Sequence, residues 1–200
     1  MAKNSKQMAW LYNEDNCIAC RACEAGCKQE FDLPVGVRRR RVIIKEEGKY
    51  PSPGVRYISI SCNHCDEPAC MKACPVGAYT KEPEFGVVLH DQGKCIGCKR
   101  CMAACPYGAP QFDERKKKVD KCNFCIHRLK VGLPPACVRT CMGYALSNGR
   151  LPDVETGNAF PDPVFKPVFK DKVVERLKHF ADPKLTKPSI RFVEAKNIKK

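Results

Sequence analysis

The segment CIGCKRCMAACPYGAPQF, residues 95–112, carries the pattern that decides the fold. Its cysteines follow the spacing C-x2-C-x2-C-x3-C, and a proline follows the last of them. Cys101 and Cys105 stand at i and i+4, which places them on one face of a helical turn. Pro106 would end that turn, because proline cannot continue a helix. The segment therefore predicts a loop with three cysteines and a helical turn that points the fourth elsewhere.

Three further cysteine groups of related spacing occur in this chain of 200 residues. Each group begins with two cysteines separated by two residues and ends with a pair at i and i+4, and none of the sixteen cysteines is left over. Such an internal repeat indicates that one structural unit is used several times. The groups are, in order, Cys17, Cys20, Cys23 and Cys27; Cys62, Cys65, Cys70 and Cys74; Cys95, Cys98, Cys101 and Cys105; and Cys122, Cys125, Cys137 and Cys141.

Cysteine content this high is typical of disulfide-rich, zinc-binding or iron–sulfur proteins. Disulfides need an oxidising compartment, and no apolar segment of a secretory signal follows Lys3 and Lys6. Zinc sites use separated cysteine pairs, often with histidine, whereas the four histidines here show no ligand spacing. The spacing of the first and third groups is that of bacterial ferredoxins, in which the fourth cysteine ligates the other cluster. The sequence therefore favours four [4Fe–4S] clusters that work in pairs.

The formal net charge of +14 by itself fits a nucleic-acid-binding protein. An oxidised [4Fe–4S] core with four thiolates carries about −2, because metal ligation deprotonates the thiols. Four such sites would lower the net charge to about +6, so nucleic acid is not the expected partner. A zinc-rich nucleic-acid-binding module remains the alternative from another class. No apolar run approaches the roughly twenty residues of a membrane span, so we expect neither a signal nor a transmembrane segment of the chain's own.

Short β-type runs alternate with the cysteine-bearing helices, which predicts an α+β fold of two ferredoxin-like 2[4Fe–4S] modules. Groups two and three are adjacent and predict an inner module over residues 56–112. Groups one and four would then form an outer module from residues 1–55 and 113–150, into which the inner module is inserted. The predicted strands cover residues 8–12, 56–60, 85–89 and 119–121.

Two segments without cysteine complete the chain. The connector at residues 35–55 contains four consecutive arginines from Arg38 to Arg41, which we interpret as a solvated strand face or a partner contact. It also contains a predicted turn at residues 51–54. Residues 151–200 predict an extended C-terminal tail that wraps over the clusters or a partner, with a short amphipathic helix at residues 172–180. Within group two, His64 is expected to hydrogen-bond a cluster sulfide or to lie at the surface.

The cysteine segments resemble the four-cluster iron–sulfur subunit of dimethyl sulfoxide reductase-type molybdopterin oxidoreductases. The resemblance covers residues 8–148 and implies a subunit that is not catalytic on its own. It would relay single electrons to or from a molybdenum or tungsten catalytic subunit in anaerobic respiration. The segments that carry the resemblance are SCNHCDEPACMKACPVGA at residues 61–78, CIGCKRCMAACPYGAPQF at residues 95–112 and KCNFCIHRLKVGLPPACVRTC at residues 121–141.

The resemblance also implies which cysteines bind each cluster. The last cysteine of every group would ligate the cluster of the paired group. Related nitrate reductase subunits have tryptophan at the position of Cys101 and hold a three-iron cluster there, so the cysteine implies four cubanes. Cluster 1 would take Cys17, Cys20, Cys23 and Cys141; cluster 2 Cys27, Cys122, Cys125 and Cys137; cluster 3 Cys62, Cys65, Cys70 and Cys105; and cluster 4 Cys74, Cys95, Cys98 and Cys101.

The implied partners are a large molybdopterin catalytic subunit and a membrane anchor that oxidises quinol. The complex would be membrane-associated, exported with a twin-arginine partner, or cytoplasmic. An alternative function stays open, because polyferredoxin-like proteins share the four cysteine groups. In that case the partner would be a cytoplasmic hydrogenase, formate dehydrogenase or carbon monoxide dehydrogenase.

Overall fold

The computed structural model describes residues 6–157, 159, 172–178 and 180–195. Within these residues the chain forms ten strands, six short helices and a 3-10 turn at Pro183–Leu185. The strands are β1 Met8–Asn13, β2 Arg41–Lys49, β3 Ser52–Ile60, β4 Tyr79–Lys81, β5 Val88–His90, β6 Gln111–Asp113, β7 Lys118–Asp120, β8 Leu146–Arg150, β9 Val173–Val174 and β10 Ile190–Val193. The helices are α1 Ala22–Phe31, α2 Ala69–Lys72, α3 Arg100–Ala104, α4 Ile126–Leu129, α5 Ala136–Arg139 and α6 Leu151–Glu155.

Strand β1 lies inside a four-stranded sheet with the order β8-β1-β10-β9. It pairs antiparallel with β8 and parallel with β10. Successive side chains of a strand point to opposite faces, and both faces of β1 are buried. Met8, Trp10 and Tyr12 belong to the main hydrophobic core, whereas Ala9 and Leu11 belong to a smaller one. Burial on both faces explains why β1 reads as a nearly continuous apolar run.

The predicted connector at residues 35–55 is not a plain connector. Strands β2 and β3 form a long antiparallel hairpin, paired from Arg41 opposite Ile60 to Lys49 opposite Ser52. β-branched residues such as Val42 and Ile43 favour this extended pairing. The turn predicted at residues 51–54 is realised one step earlier, at Tyr50 and Pro51. Two shorter hairpins, β4–β5 and β6–β7, follow groups two and three.

The described end of the predicted tail forms part of the central sheet. All four residues of β10 are buried, and β9 pairs antiparallel with its end. The amphipathic helix predicted at residues 172–180 is wrong in the described part of that segment, since Val173 and Val174 form β9. Two adjacent β-branched residues favour an extended strand over a helix. The proline- and phenylalanine-rich residues 160–169 lie outside the described residues.

Two helix contacts join the cysteine groups. Helix α1 packs against α5, and α2 packs against α3. The first contact is close: a Cβ atom at Gly26 would lie 2.6 Å from Thr140 Oγ1. Group one therefore meets group four, and group two meets group three. The mixed α and β character of the fold is as predicted. None of the described helices is long and apolar enough to cross a membrane.

Candidate metal centres

All sixteen cysteines carry free thiols, and none forms a disulfide. Ten of them are buried, as is common for cysteine, whose neutral thiol behaves as a small apolar group. The two exposed thiols are Cys20 and Cys98, the second cysteines of groups one and three. Most thiols are therefore withheld from solvent, and the exposed ones mark two places where the cysteine region reaches the surface.

Thiols from groups two and three share one hollow. Cys62, Cys65 and Cys70 line it together with Cys105. Burial raises the pKa of Cys65 and of Cys70 to about 12. The hollow thus combines three cysteines of one group with the last cysteine of the other.

A second hollow has the same construction. It is lined by Cys17, Cys20, Cys23 and Cys141. Burial raises the pKa of Cys23, and negative charge on Cys141 and Cys17 adds to the rise. Cys141 belongs to group four by sequence, but it lies within electrostatic range of group one.

The other eight cysteines also lie together in fours. Burial raises the pKa of Cys27, and negative charge on Cys122, Cys137 and Cys125 raises it further. Cys27 on α1 is therefore close to the first three cysteines of group four. Burial raises the pKa of Cys101 in the same way, and negative charge on Cys95 and Cys98 contributes to the rise. Cys74 packs in one apolar cluster with Cys95 and Cys101.

One backbone feature repeats in all four groups. The residue before the second cysteine has a positive φ: Ala19 at 54°, His64 at 44°, Gly97 at 71° and Phe124 at 60°. Such left-handed residues turn the chain sharply, and in groups one and two the first two thiols line one hollow. At position 97 the residue must be glycine, because a Cβ atom would lie 2.5 Å from the carbonyl oxygen of Lys117. Only this glycine marked the turn in the sequence.

The motif C-P-x-G-A places a hydrogen bond on the last thiol of groups two and three. The amide of Ala78 donates to Cys74 Sγ at 3.3 Å, and that of Ala109 to Cys105 Sγ at 3.5 Å. In group four, the amide of Phe124 donates to Cys122 Sγ at 3.3 Å. Donors to sulfur favour the thiolate and raise the reduction potential of a bound cluster.

Two expectations from the sequence need correction. His64 is fully buried rather than at the surface, and its Nδ1 accepts a hydrogen bond from the Val88 amide at 3.0 Å. Burial holds the pKa of His64 well below its ordinary value. Arg40 is 2% exposed, and Arg39 is partly buried and forms an ion pair with Asp120 at 2.8 Å. The interpretation of the arginine run as a solvated face is therefore wrong at its centre.

Arg41, the last residue of the arginine run, contacts the third cysteine group. Its guanidinium donates to the carbonyl oxygens of Tyr107 at 2.7 Å and Gly108 at 2.9 Å, in the C-P-x-G-A motif of group three. The run therefore anchors the β2–β3 hairpin to the rest of the fold.

Sequence reasoning missed two residues that line the hollow shared by groups two and three. Lys121 is buried, and its Nζ donates to the carbonyl oxygens of Val88 and Cys122. Thr186 comes from the tail, and its hydroxyl lies 2.9 Å from that of Tyr107. The position of Lys121 beside Cys122 was a signal for the first. Nothing in the local sequence of Thr186 indicated the second.

The thiols fit [4Fe–4S] clusters. A buried thiol with a raised pKa keeps its proton unless a metal offsets the charge of the thiolate. Among the described residues, no three His, Cys, Asp or Glu side chains lie close enough to hold a single metal ion. The thiols instead surround a space, as the four thiolate ligands of a cubane must.

Known protein families match this arrangement. A family model described as a 4Fe-4S dicluster domain matches residues 54–151, and one described as a 4Fe-4S binding domain matches residues 14–32. The chain is 39% identical over 156 residues to the B subunit of anaerobic dimethyl sulfoxide reductase from Escherichia coli K12, covering 74% of this chain and 76% of that protein.

Two further relatives have different named activities. The chain is 38% identical over 154 residues to the thiosulfate reductase electron transfer subunit of Salmonella typhi, covering 76% of this chain and 80% of that protein. It is 37% identical over 169 residues to the formate dehydrogenase iron–sulfur subunit of Wolinella succinogenes, covering 74% and 83%. The sixteen thiols and the matched domains together establish that [4Fe–4S] clusters are the cofactors.

Proposed function

We propose that this chain, which belongs to the family of iron–sulfur subunits that includes the B subunit of anaerobic dimethyl sulfoxide reductase, relays single electrons through four [4Fe–4S] clusters. The electrons pass to or from a catalytic subunit that carries molybdopterin with molybdenum or tungsten. The chain itself makes and breaks no substrate bond. The named relatives belong to sulfoxide, thiosulfate and formate enzymes. Family membership therefore indicates electron transfer, and the catalytic partner determines the substrate.

The observation that carries this proposal is that each hollow draws thiols from two cysteine groups. This crossing supports the ligand sets implied by the resemblance, in which neighbouring clusters share their protein frame. The proposed sets are Cys17, Cys20, Cys23 and Cys141 for cluster 1; Cys27, Cys122, Cys125 and Cys137 for cluster 2; Cys62, Cys65, Cys70 and Cys105 for cluster 3; and Cys74, Cys95, Cys98 and Cys101 for cluster 4.

The helix contacts support an inner module at residues 56–112 inserted into an outer one. Packing of α2 on α3 joins the groups of the inner module, and packing of α1 on α5 joins those of the outer module. Negative charge on Cys122 raises the pKa of Cys62 after burial has done so. This proximity supports an arrangement in which cluster 2 of the outer module lies beside cluster 3 of the inner one, with a continuous path from cluster 1 to cluster 4.

Burial and backbone hydrogen bonds at the proposed cluster sites suit one-electron chemistry. When bound, a [4Fe–4S] cluster takes up and returns one electron, at a potential set by burial, charge and hydrogen bonds. Because most of the thiols are buried, water has little access to the sulfur atoms that would bind the clusters. The amides of Ala78, Ala109 and Phe124 donate to three of these sulfurs.

The surface beside the exposed thiols supports two partner contacts. Ile18, two residues before Cys20, is 58% exposed, and Ile96, two residues before Cys98, is 65% exposed. Apolar side chains at the surface are typical of protein interfaces when they surround a functional group. Because Cys20 belongs to cluster 1 and Cys98 to cluster 4, the two faces lie at opposite ends of the proposed path. One face would meet the catalytic subunit, and the other a second electron partner such as a quinol-oxidising membrane anchor.

Anaerobic copurification tests the proposed function. The tagged chain should be brown, contain about sixteen irons and bleach on reduction. It should also retain a large partner that contains molybdenum or tungsten with pterin. A partner that contains nickel would favour a hydrogenase relay instead. A colourless chain with stoichiometric zinc would contradict every electron-transfer function.

A further inference from the structure

Arg40 is a buried cation in the middle of the outer module. It is 2% exposed and lies over Trp10, with its guanidinium carbon 4.6 Å from the centre of the indole ring. Nη2 donates to Ser61 Oγ at 2.9 Å, and Nη1 donates to Ser59 Oγ at 3.2 Å. Burying a full positive charge is costly unless negative charge lies nearby.

Among the described residues, no carboxylate forms an ion pair with Arg40, and its Nε has no hydrogen-bond partner. The neighbouring arginines differ: Arg38 lies 3.5 Å from Glu24, and Arg39 lies 2.8 Å from Asp120. Arg41 also forms no ion pair in the described part of the chain, but it is only partly buried. Arg40 is therefore the fully buried member of the run whose counter-charge must come from something other than a carboxylate.

Cysteines of both outer clusters surround Arg40. Burial works to lower its pKa, but negative charge on Cys137 and Cys23, followed by Cys122 and Cys27, raises it overall. Ser59 Oγ, which accepts from Arg40, lies 3.5 Å from Cys23 Sγ. Arg40 thus reaches a proposed ligand of cluster 1 through Ser59, and it lies within electrostatic range of Cys137 and Cys122, proposed ligands of cluster 2.

We infer that Arg40 sets the reduction potentials of clusters 1 and 2, because its fixed positive charge lies between their thiolate ligands. This inference rests on the ligand sets of the proposed function. Reduction adds negative charge to a cluster, and a nearby cation in a low-dielectric interior favours the more negative state. Arg40 therefore keeps both outer clusters easier to reduce than they would be without it. Its role is to hold a positive charge near the cluster ligands, and it touches no substrate.

Redox titration followed by EPR tests this inference on the full chain with its clusters. The variant Arg40→Gln removes the charge and keeps a hydrogen-bonding side chain. We expect two of the four one-electron equilibria to shift at least tenfold toward oxidation, which is about 59 mV lower in potential for a one-electron couple. The other two should shift less than half as far. A purely structural role for Arg40 would not lower two potentials selectively.

Arg38→Gln is the matched control. It removes the same charge two residues away, from a side chain that is 46% exposed, where solvent screens charge. We expect all four equilibria to shift less than threefold in this variant. Four unchanged potentials in Arg40→Gln, or equal shifts of all four, would overturn the inference.

Arg40→Lys covers the case in which the glutamine variant does not assemble its clusters. Lysine retains the charge without the guanidinium hydrogen bonds, so its potentials should stay within threefold of those of the unchanged chain. A tenfold shift in the lysine variant would show that charge is not the cause. An unchanged chain without about sixteen irons would instead contradict the proposed function, whatever happens at Arg40.

Discussion

Replacing Cys141 with serine separates the ligand sets proposed for clusters 1 and 2. By sequence, Cys141 is the last cysteine of group four, but it lines the hollow of Cys17, Cys20 and Cys23. We therefore expect Cys141→Ser to disturb cluster 1 and to leave cluster 2 intact. If each group instead held its own cluster, the same substitution would disturb the cluster of Cys122 and Cys125.

The expected loss is confined to one site. Serine is close to cysteine in size and Cys141 is only half-buried, so the direct cost to folding should be about 1 kcal/mol. One cluster of four would be affected, and the iron content should fall from about sixteen by at most about four per chain. About three quarters of the reducible cluster signal should remain.

EPR difference spectra identify which cluster is affected. Cys17→Ser serves as the reference for cluster 1, because Cys17 lies in group one under either ligand assignment. Cys122→Ser serves in the same way for cluster 2. The signal lost in Cys141→Ser should match the one lost in Cys17→Ser. A match with Cys122→Ser would refute the crossing of ligands between groups.

Two further predictions concern positions outside the ligand sets. Gly97→Ala should destabilise the protein by about 1–3 kcal/mol more than Gly77→Ala. Both residues have positive φ, but only a Cβ atom at position 97 would meet the Lys117 carbonyl. Loss of visible absorbance in anaerobic urea titrations measures the difference in stability, and equal midpoints would contradict the contact. A double-mutant cycle with Thr186→Val and Tyr107→Phe should give a coupling of about 1 kcal/mol from their hydroxyl contact, and the same titrations would show additive effects if that contact contributed nothing.

The sequence predicted the cysteine groups and their surroundings because these signals are local. Four strands were predicted near their observed places, since β-branched and aromatic runs stand beside each cysteine group. Pro106 likewise predicted the end of the helical turn that carries Cys101, and α3 ends at Ala104. The crossing of ligands between groups came from a resemblance, because spacing alone does not show which group Cys141 faces.

The features that the sequence did not predict depend on contacts between distant segments. Arg40 stands in a run of four arginines, and nothing in that run distinguishes the buried one from its paired neighbours. Thr186 lies in a polar segment, yet it lines a hollow built by groups two and three. Val173 and Val174 were assigned to a helix because their strand exists only through pairing with β10. In each case the tertiary partner, not the local sequence, decides the structure.

The position of β10 also orders the steps of biosynthesis. β10 occupies the edge of β1 opposite β8, so that edge stays open until residue 193 has emerged from the ribosome. At about 5–20 residues per second, the interval after β8 lasts about 2–9 seconds. During that interval the hollow of Cys62 and Cys105 lacks the wall that Thr186 supplies. We expect the nascent chain to offer its cluster-loading machinery a more open route to this hollow than the finished protein does.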